Sequence, residues 1–187
     1  MSDTLERLEA AVPTSASEIP PVHLWQPALS GDIDIEIRRD GSWYHEGALI
    51  RRQALVNLFA SILRREADGD YYLVTPVEKW RIRVQALPLL VVDFAILQTE
   101  SSEQRLVTTT NTSRFIPVGA DYPLFFTDAL QSGEPALALA LENGLAAQFS
   151  RAAWYRLVES AEQRDGRHGV ESGGLFFPLE PSEIQEG

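Results

Sequence analysis

Cysteine is absent from this chain of 187 residues, and its absence removes several kinds of chemistry at once. Disulfides, thiolate metal sites and cysteine nucleophiles are all excluded, and a chain without disulfides is typical of a reducing compartment. A secretory signal is also lacking, because Met1–Glu9 is acidic rather than basic and apolar. The longest apolar run, Ala86–Leu97, contains Asp93 and is too short to cross a bilayer. We therefore expect a cytoplasmic protein with no membrane partner.

Positive charge is scarce, since 16 lysines and arginines face 27 acids and leave a net charge of −11. Residues 21–90 nevertheless carry nine acids and nine bases, so the acidity lies in the rest of the chain. A protein this acidic lacks the surface that neutralises phosphates, and we expect no nucleic-acid partner. The arginine pairs Arg38-Arg39, Arg51-Arg52 and Arg64-Arg65 offer a local anion site as an alternative, but paired surface arginines are more commonly solvated.

The first half of the chain follows the order strand, turn, strand, helix, turn and strand. Alternating apolar residues indicate the first strand, Asp-Gly indicates a hairpin, and apolar positions at 3.6-residue spacing indicate the helix. In chain order these segments are Ile33–Ile37, Asp40-Gly41, Ser42–His45, Arg51–Glu66, Asp68–Asp70 and Tyr71–Glu78.

The same order recurs about 100 residues later, with an Asn-Gly turn, a Ser-capped helix and a closing strand that again ends in Pro, an aliphatic residue and Glu. Its segments are Leu137–Leu141, Asn143-Gly144, Leu145–Phe149, Ser150–Ala161, Asp165-Gly166 and Leu175–Glu180. Between the copies we expect strands at 82–84, 89–97 and 105–109 and a turn at 116–119. The sequence therefore predicts an α+β fold: two degenerate copies of a β-hairpin–helix–strand unit, joined by mostly antiparallel strands, with eight to ten strands in all.

Composition along the chain divides it into four parts. We expect an N-terminal helix and a Pro/Ser-rich linker at 1–19, and a first α+β repeat domain at 20–85. A second, β-rich repeat domain follows at 86–181, and an acidic tail at 182–187. Only the first repeat combines Trp-Tyr-His-Glu with the single lysine, so a functional site is expected there.

Three segments carry a resemblance to a known family: Pro20–Pro27, Asp40–Gly47 and Tyr71–Lys79. They resemble a proteobacterial family catalogued as domain of unknown function 1285, over about residues 20–180. The resemblance implies a two-part α+β fold with internal repeats and a part in bacterial signal transduction. It implies no catalytic residues, because none are defined for the family.

Catalytic signatures are few. His45 and Glu46 could serve as a general base or half a metal site, but neighbouring strand residues face opposite sides. The three histidines have no metal-ligand spacing, and no serine-nucleophile elbow or phosphate loop appears. We therefore predict no metal and no cofactor.

Binding residues are easier to nominate than catalytic ones. Lys79 is the only lysine and follows Glu78, so a solvated ion pair is expected, although a perturbed lysine could do chemistry. Aromatic residues of the first repeat could wall a ligand site or simply fill the core. The candidate binding residues are Trp25, Trp43, His45, Arg51, Thr75, Glu78 and Lys79.

Three functions remain open on the sequence. The first is a non-enzymatic regulatory or signalling module that binds a small molecule or a protein near the first repeat. The second is a homodimeric interaction scaffold that pairs through exposed strand edges. The third is an enzyme that uses His45 and Glu46.

Overall fold

The computed structural model describes residues 19–98, 103–128 and 135–181. The predicted N-terminal helix and the acidic tail at 182–187 lie outside the described residues. The chain divides into two compact units, one of residues up to Pro88 with Glu142–Leu145 and the other of Leu89–Leu141 with the chain from Ala146. Among the described helices, none is both long and apolar enough to cross a membrane.

The first unit contains one helix and one mixed six-stranded sheet. Its strand order is β3-β2-β1-β6-β5-β4, with β1 and β6 parallel and every other pair antiparallel. In chain order, the elements are a 3₁₀ turn (Val22–Leu24), β1 (Leu29–Ile37), β2 (Trp43–His45), β3 (Ala48–Leu49), α1 (Gln53–Ser61), β4 (Leu63–Arg65), β5 (Tyr71–Val74) and β6 (Lys79–Val84).

The second unit contains a six-stranded mixed sheet, one helix and a three-stranded antiparallel sheet. The strand orders are β10-β11-β12-β7-β8-β9 and β13-β14-β15, and β12 runs parallel to β7. Its elements are β7 (Leu89–Gln98), β8 (Gln104–Thr110), β9 (Phe115–Pro117), β10 (Leu124–Thr127), β11 (Ala136–Ala140), β12 (Ala146–Phe149), α2 (Arg151–Glu159), β13 (Glu162–Arg164), β14 (Arg167–Ser172) and β15 (Leu175–Pro178).

The α+β prediction and the two similar units are confirmed. Numbered from its own first strand, each six-stranded sheet has the order 3-2-1-6-5-4, with strands 1 and 6 parallel. Three strands, a helix and three strands occur in both units, but the last three join the main sheet only in the first unit. The predicted match of the two closing strands is therefore wrong. Leu73 and Val74 lie in the second strand after α1, whereas Leu175–Pro178 is the third strand after α2.

Two local predictions also differ from the structure. The helix predicted to run from Arg51 to Glu66 ends at Ser61, because the next residues pair with β5 and Leu63 lies opposite Leu73. The turn predicted at 116–119 is partly strand β9, and fifteen strands form among the described residues instead of eight to ten. The Ser150 cap is confirmed, since its hydroxyl accepts a hydrogen bond from the Ala153 N–H.

The core of the first unit lies on one side of its sheet. Ile35 and Ile37 are fully buried there, as alternation along β1 requires. Trp43 is 1% exposed and packs on Phe59 of α1, with ring centroids 6.4 Å apart. Since α1 covers this side, the charged residues of β1 and β6 lie on the opposite side of the sheet.

Candidate functional site

The polar side of the first sheet, called the outer face below, is defined by one row of cross-strand neighbours. Arg64 of β4 pairs with Tyr72 of β5, Tyr72 with Arg81 of β6, and Arg81 with Asp32 of β1. Because directly opposed residues share a face, these four side chains lie on the same side of the sheet. The outer face therefore crosses four strands.

A ladder of polar pairs joins the two central parallel strands. Arg81 makes a bidentate pair with Asp32, with Nε–Oδ1 at 2.7 Å and Nη2–Oδ2 at 3.0 Å. Arg83 donates to Asp34 at 2.6 Å, and Gln85 donates to Glu36 at 3.1 Å. The hydrogen bond from Arg81 is the main cause that lowers the pKa of Asp32, and the one from Gln85 lowers the pKa of Glu36. Exposed pairs of this kind contribute little to stability.

An open groove of about 640 Å³ runs along this ladder. Arg81 lies between two carboxylates there, because its Nη1 also reaches Asp70 Oδ2 at 3.3 Å. The polar residues that line the groove are Asp32, Glu36, Asp70, Arg81, Arg83 and Gln85. Charges of both signs thus face the same open volume.

The other end of the outer face is covered by residues 20–25. Val22 is fully buried in a cluster with Tyr72 and Val74, and Trp25 packs against this cluster. Arg64 Nη1 donates to the main-chain oxygens of Val22 at 3.0 Å and of Trp25 at 2.7 Å. The expectation that Arg64 is solvated is wrong, because the residue is 8% exposed beneath this segment.

An ionic network supports Arg64 from the sheet side. Glu66 pairs with Arg64 Nη2 and with Lys79 Nζ, which lies 3.0 Å from Glu66 Oε2. Lys79 is therefore not the solvated partner of Glu78 that the sequence predicted. Burial opposes ionisation of Glu66, but the hydrogen bonds from Lys79 and Arg64 outweigh it and lower the pKa of that carboxyl.

The network continues to the tyrosine of β5. Lys79 Nζ lies 4.9 Å from the centre of the Tyr72 ring, and the Tyr72 hydroxyl donates to Asp68 Oδ2 at 2.7 Å. This hydrogen bond is the main cause that raises the pKa of Tyr72 to about 12. The phenol therefore stays a hydrogen-bond donor at neutral pH.

Two further predicted binding residues shape the turn between β5 and β6. Thr75 is fully buried, and its hydroxyl accepts the Glu78 N–H at 3.1 Å. Glu78 in turn accepts from Trp80 Nε1 at 3.2 Å. Of the seven predicted residues, the structure thus brings Trp25, Thr75, Glu78 and Lys79 to the elements around β5 and β6.

The remaining predicted residues lie elsewhere in the first unit. Trp43 is packed in the core, and Arg51 is exposed before α1. His45 is half-buried at the end of β2, where it pairs with Ile35. Glu46 follows it in the β2–β3 turn with a φ of +49°. None of these side chains lines the groove.

Sequence reasoning missed the charge ladder, although a signal for it was present. Asp32, Asp34 and Glu36 alternate along one strand, and Lys79, Arg81 and Arg83 alternate along another. Two alternating rows of opposite charge favour pairing of the two strands side by side, with both rows on one face. Their adjacency could not be read from the sequence, because β1 and β6 are parallel and paired residues lie 49 positions apart.

Comparisons with known proteins agree with one another. A family profile described as "Domain of unknown function (DUF1285), N-terminal domain" matches residues 20–87, and "Protein of unknown function (DUF1285), C-terminal domain" matches residues 88–179. The crystal structure of a DUF1285 family protein from Silicibacter pomeroyi is 39% identical, covers 98% of both chains and gives a TM-score of 0.85. One from Shewanella baltica is 30% identical, covers 67% of this chain and 90% of its own, and gives 0.52. The comparison with curated proteins gives no match.

Proposed function

This chain belongs to the DUF1285 family, and we propose that it is a non-enzymatic regulatory module that binds a small ligand on the outer face of its first unit. The ligand carries an acidic and a basic group together. The observation that carries this proposal is the open groove in which arginines and carboxylates line one volume of about 640 Å³.

The size and the charge of the groove select this class of ligand. Sites for small molecules commonly enclose about 300 to 1,000 Å³, and this volume falls inside that range. The lining of the groove combines three carboxylates, Asp32, Glu36 and Asp70, with two arginines, Arg81 and Arg83, so it offers partners for both signs of charge. A molecule with both signs of charge is the complement of such a surface.

Two side chains are placed to hold the opposite charges of the ligand. Arg83 lines the groove, is 63% exposed and pairs with Asp34 through Nη2, which is the side-chain hydrogen bond that its guanidinium makes among the described residues. Asp70 is 50% exposed, and its contact with Arg81 at 3.3 Å is longer than any contact of the ladder. We assign a carboxylate or phosphate of the ligand to Arg83 and an amine to Asp70. The enzyme hypothesis gains no support, because His45 and Glu46 lie outside the groove lining.

A thermal-shift screen tests this function on the full chain. The zwitterions are free amino acids and phosphoethanolamine, and N-acetyl amino-acid amides are the uncharged counterparts. A ligand that binds only the folded protein raises its melting temperature, and at a hundred times Kd the gain is about 2.7 kcal/mol. We expect at least one zwitterion to raise it while the amides do not.

Matched variants assign any shift to the groove. Arg83→Gln and Asp70→Asn should each abolish the shift, while Arg164→Gln should preserve it. Arg164 is a suitable control because it forms a similarly exposed ion pair, with Glu171, in the three-stranded sheet of the second unit. A screen without any shift, or a shift that survives both groove variants, would refute the proposal.

A further inference from the structure

Residues 20–25 fill a site on the outer face without being a strand of the sheet. Val22 is fully buried against Tyr72 and Val74, although the segment precedes β1 and belongs to no strand pair of the described residues. Pro21 has a φ of −76° and a ψ of 60°, so the segment begins with a tight turn and not with extended chain. The segment is thus a separate element that packs on the sheet and contributes no strand to it.

Recognition of this segment runs through its main chain. Within the described part of the chain, both hydrogen bonds that join it to the sheet come from Arg64 Nη1, which reaches the Val22 and Trp25 oxygens. Its three main-chain to main-chain bonds among the described residues are internal, from Val22 N to Pro20 O at 2.7 Å, from Leu24 N to Pro21 O at 2.9 Å and from Trp25 N to Val22 O at 3.2 Å. The segment therefore brings its own turn and docks as a preformed unit.

The docking site is incomplete without an occupant. Arg64 is 8% exposed beneath the segment, and its Nη1 finds both of its main-chain acceptors there. Removal of the segment would leave two donor positions unpaired and would uncover Tyr72 and Val74. Leaving such groups without partners costs free energy, and docking of any copy of the segment would recover it.

The connection between the segment and the sheet is short. Gln26, Pro27 and Ala28 alone separate Trp25 from the first residue of β1, Leu29. Short hinges next to a detachable element favour its exchange between identical chains, because every docking contact is then re-formed in the partner. We propose that the Arg64–Tyr72–Val74 site also accepts residues 20–25 of a second copy of this chain, so that two copies exchange these segments and form a dimer.

The absence of cysteine makes a direct cross-linking test possible. Full-length Val22→Cys protein is mixed with full-length Val74→Cys protein at rising concentrations and oxidised. Because both positions are fully buried, a mixed disulfide forms efficiently only when the segment of one chain docks on the other. The matched control replaces Val74→Cys by Val92→Cys, at a valine of β7 that is 42% exposed. The double variant Val22→Cys/Val74→Cys closes within one chain and calibrates the geometry.

We expect the mixed disulfide to rise with protein concentration and to exceed the Val92→Cys control at least severalfold. Addition of Arg64→Met to the Val74→Cys chain should reduce it to the control level. A second readout needs no disulfide: deletion of residues 26–28 prevents docking within one chain, and sedimentation should then show a dimer. A folded hinge-deleted chain that stays monomeric overturns the proposal. If cross-linking and sedimentation disagree, the sedimentation result of the hinge-deleted chain decides. Ligand binding in the groove can fail or succeed independently of either outcome.

Discussion

Arg64 donates from Nη1 to the main-chain oxygen of Trp25 at 2.7 Å, across 39 residues of chain. This contact ties the segment before the first strand to the sheet that the chain completes later. Burying a guanidinium costs free energy even when main-chain oxygens accept its hydrogen bonds. Removing either the guanidinium or its acceptors costs more, because the remaining polar groups are then buried without partners.

Arg64→Met should therefore destabilise the first unit strongly. Loss of one partner of a buried ionic network costs about 3 to 5 kcal/mol, and Arg64 supports Glu66 as well as two carbonyls. Urea unfolding followed by tryptophan fluorescence measures the change, since three of the four tryptophans, Trp25, Trp43 and Trp80, lie in the first unit. Arg65→Met is the matched control at the exposed neighbour and should cost less than about 1 kcal/mol. Equal losses in the two variants would contradict the account.

The lowered pKa of Glu66 predicts how the stability of the first unit depends on pH. Its pKa in the folded protein lies below the usual 4.5 because Lys79 and Arg64 outweigh the effect of burial. The ionised carboxylate thus contributes stability above its unfolded pKa, and this contribution is lost as the pH falls through the lower folded value. Glu66→Gln should lower the urea midpoint at neutral pH and flatten its decline between about pH 5 and about pH 3. An unchanged slope, equal to that of an exposed Glu162→Gln control, would contradict this assignment.

Glu46→Asn should stabilise the protein. Glu46 occupies the left-handed region at a φ of +49°, where most side chains are strained by about 1 to 2 kcal/mol and asparagine is tolerated. The turns at Asn143 and Asp165, with φ of 58° and 52°, already carry residues that suit this conformation. We expect a gain of roughly 0.5 to 1 kcal/mol in the free energy of unfolding, and a loss for the reverse control Asp165→Glu. A destabilised Glu46→Asn variant would show that the carboxylate makes a contact of its own.

Gly169→Ala should disrupt the three-stranded sheet of the second unit. A Cβ at this position would lie 2.5 Å from Phe176 Cζ and 2.5 Å from the Phe177 oxygen, and the main chain of β15 cannot yield. Overpacking of this severity costs about 1 to 3 kcal/mol or more. Gly119→Ala is the control, because no atom lies within 4 Å of its added methyl. Melting curves by circular dichroism should separate the two variants, and similar curves would refute the steric argument.

Apolar alternation and turn residues in the sequence correctly predicted the first strand and the hairpin that follows it. Ile33, Ile35 and Ile37 alternate, and Asp40-Gly41 indicated the hairpin that joins β1 to β2. The end of α1 was missed because Ile62 and Leu63 continue the helical spacing, while cross-strand pairing with β5 takes them instead. Here pairing with the next strand along the chain overrides the helical periodicity.

The assignment of residues 63–65 to the helix also hid the surroundings of Arg64. Within a helix Arg64 and Arg65 would both remain near solvent, but on a strand they face opposite sides. Arg64 then turns to the outer face beneath Trp25, and Arg65 remains exposed. Lys79 was noticed because it is the only lysine, yet its partner Glu66 lies 13 residues away and could not be inferred from adjacency.

The proposed ligand-binding surface is the outer face of the first sheet at the groove. Titration of ¹⁵N-labelled full-length protein with the free amino acid of largest thermal shift tests it directly, with its N-acetyl amide as the blank. The account predicts that amide signals of Asp32, Asp70, Arg81, Arg83 and Gln85 move in a saturable way while those of β13–β15 do not. Saturable shifts confined to the turn at His45 and Glu46, or to the second unit, would contradict it.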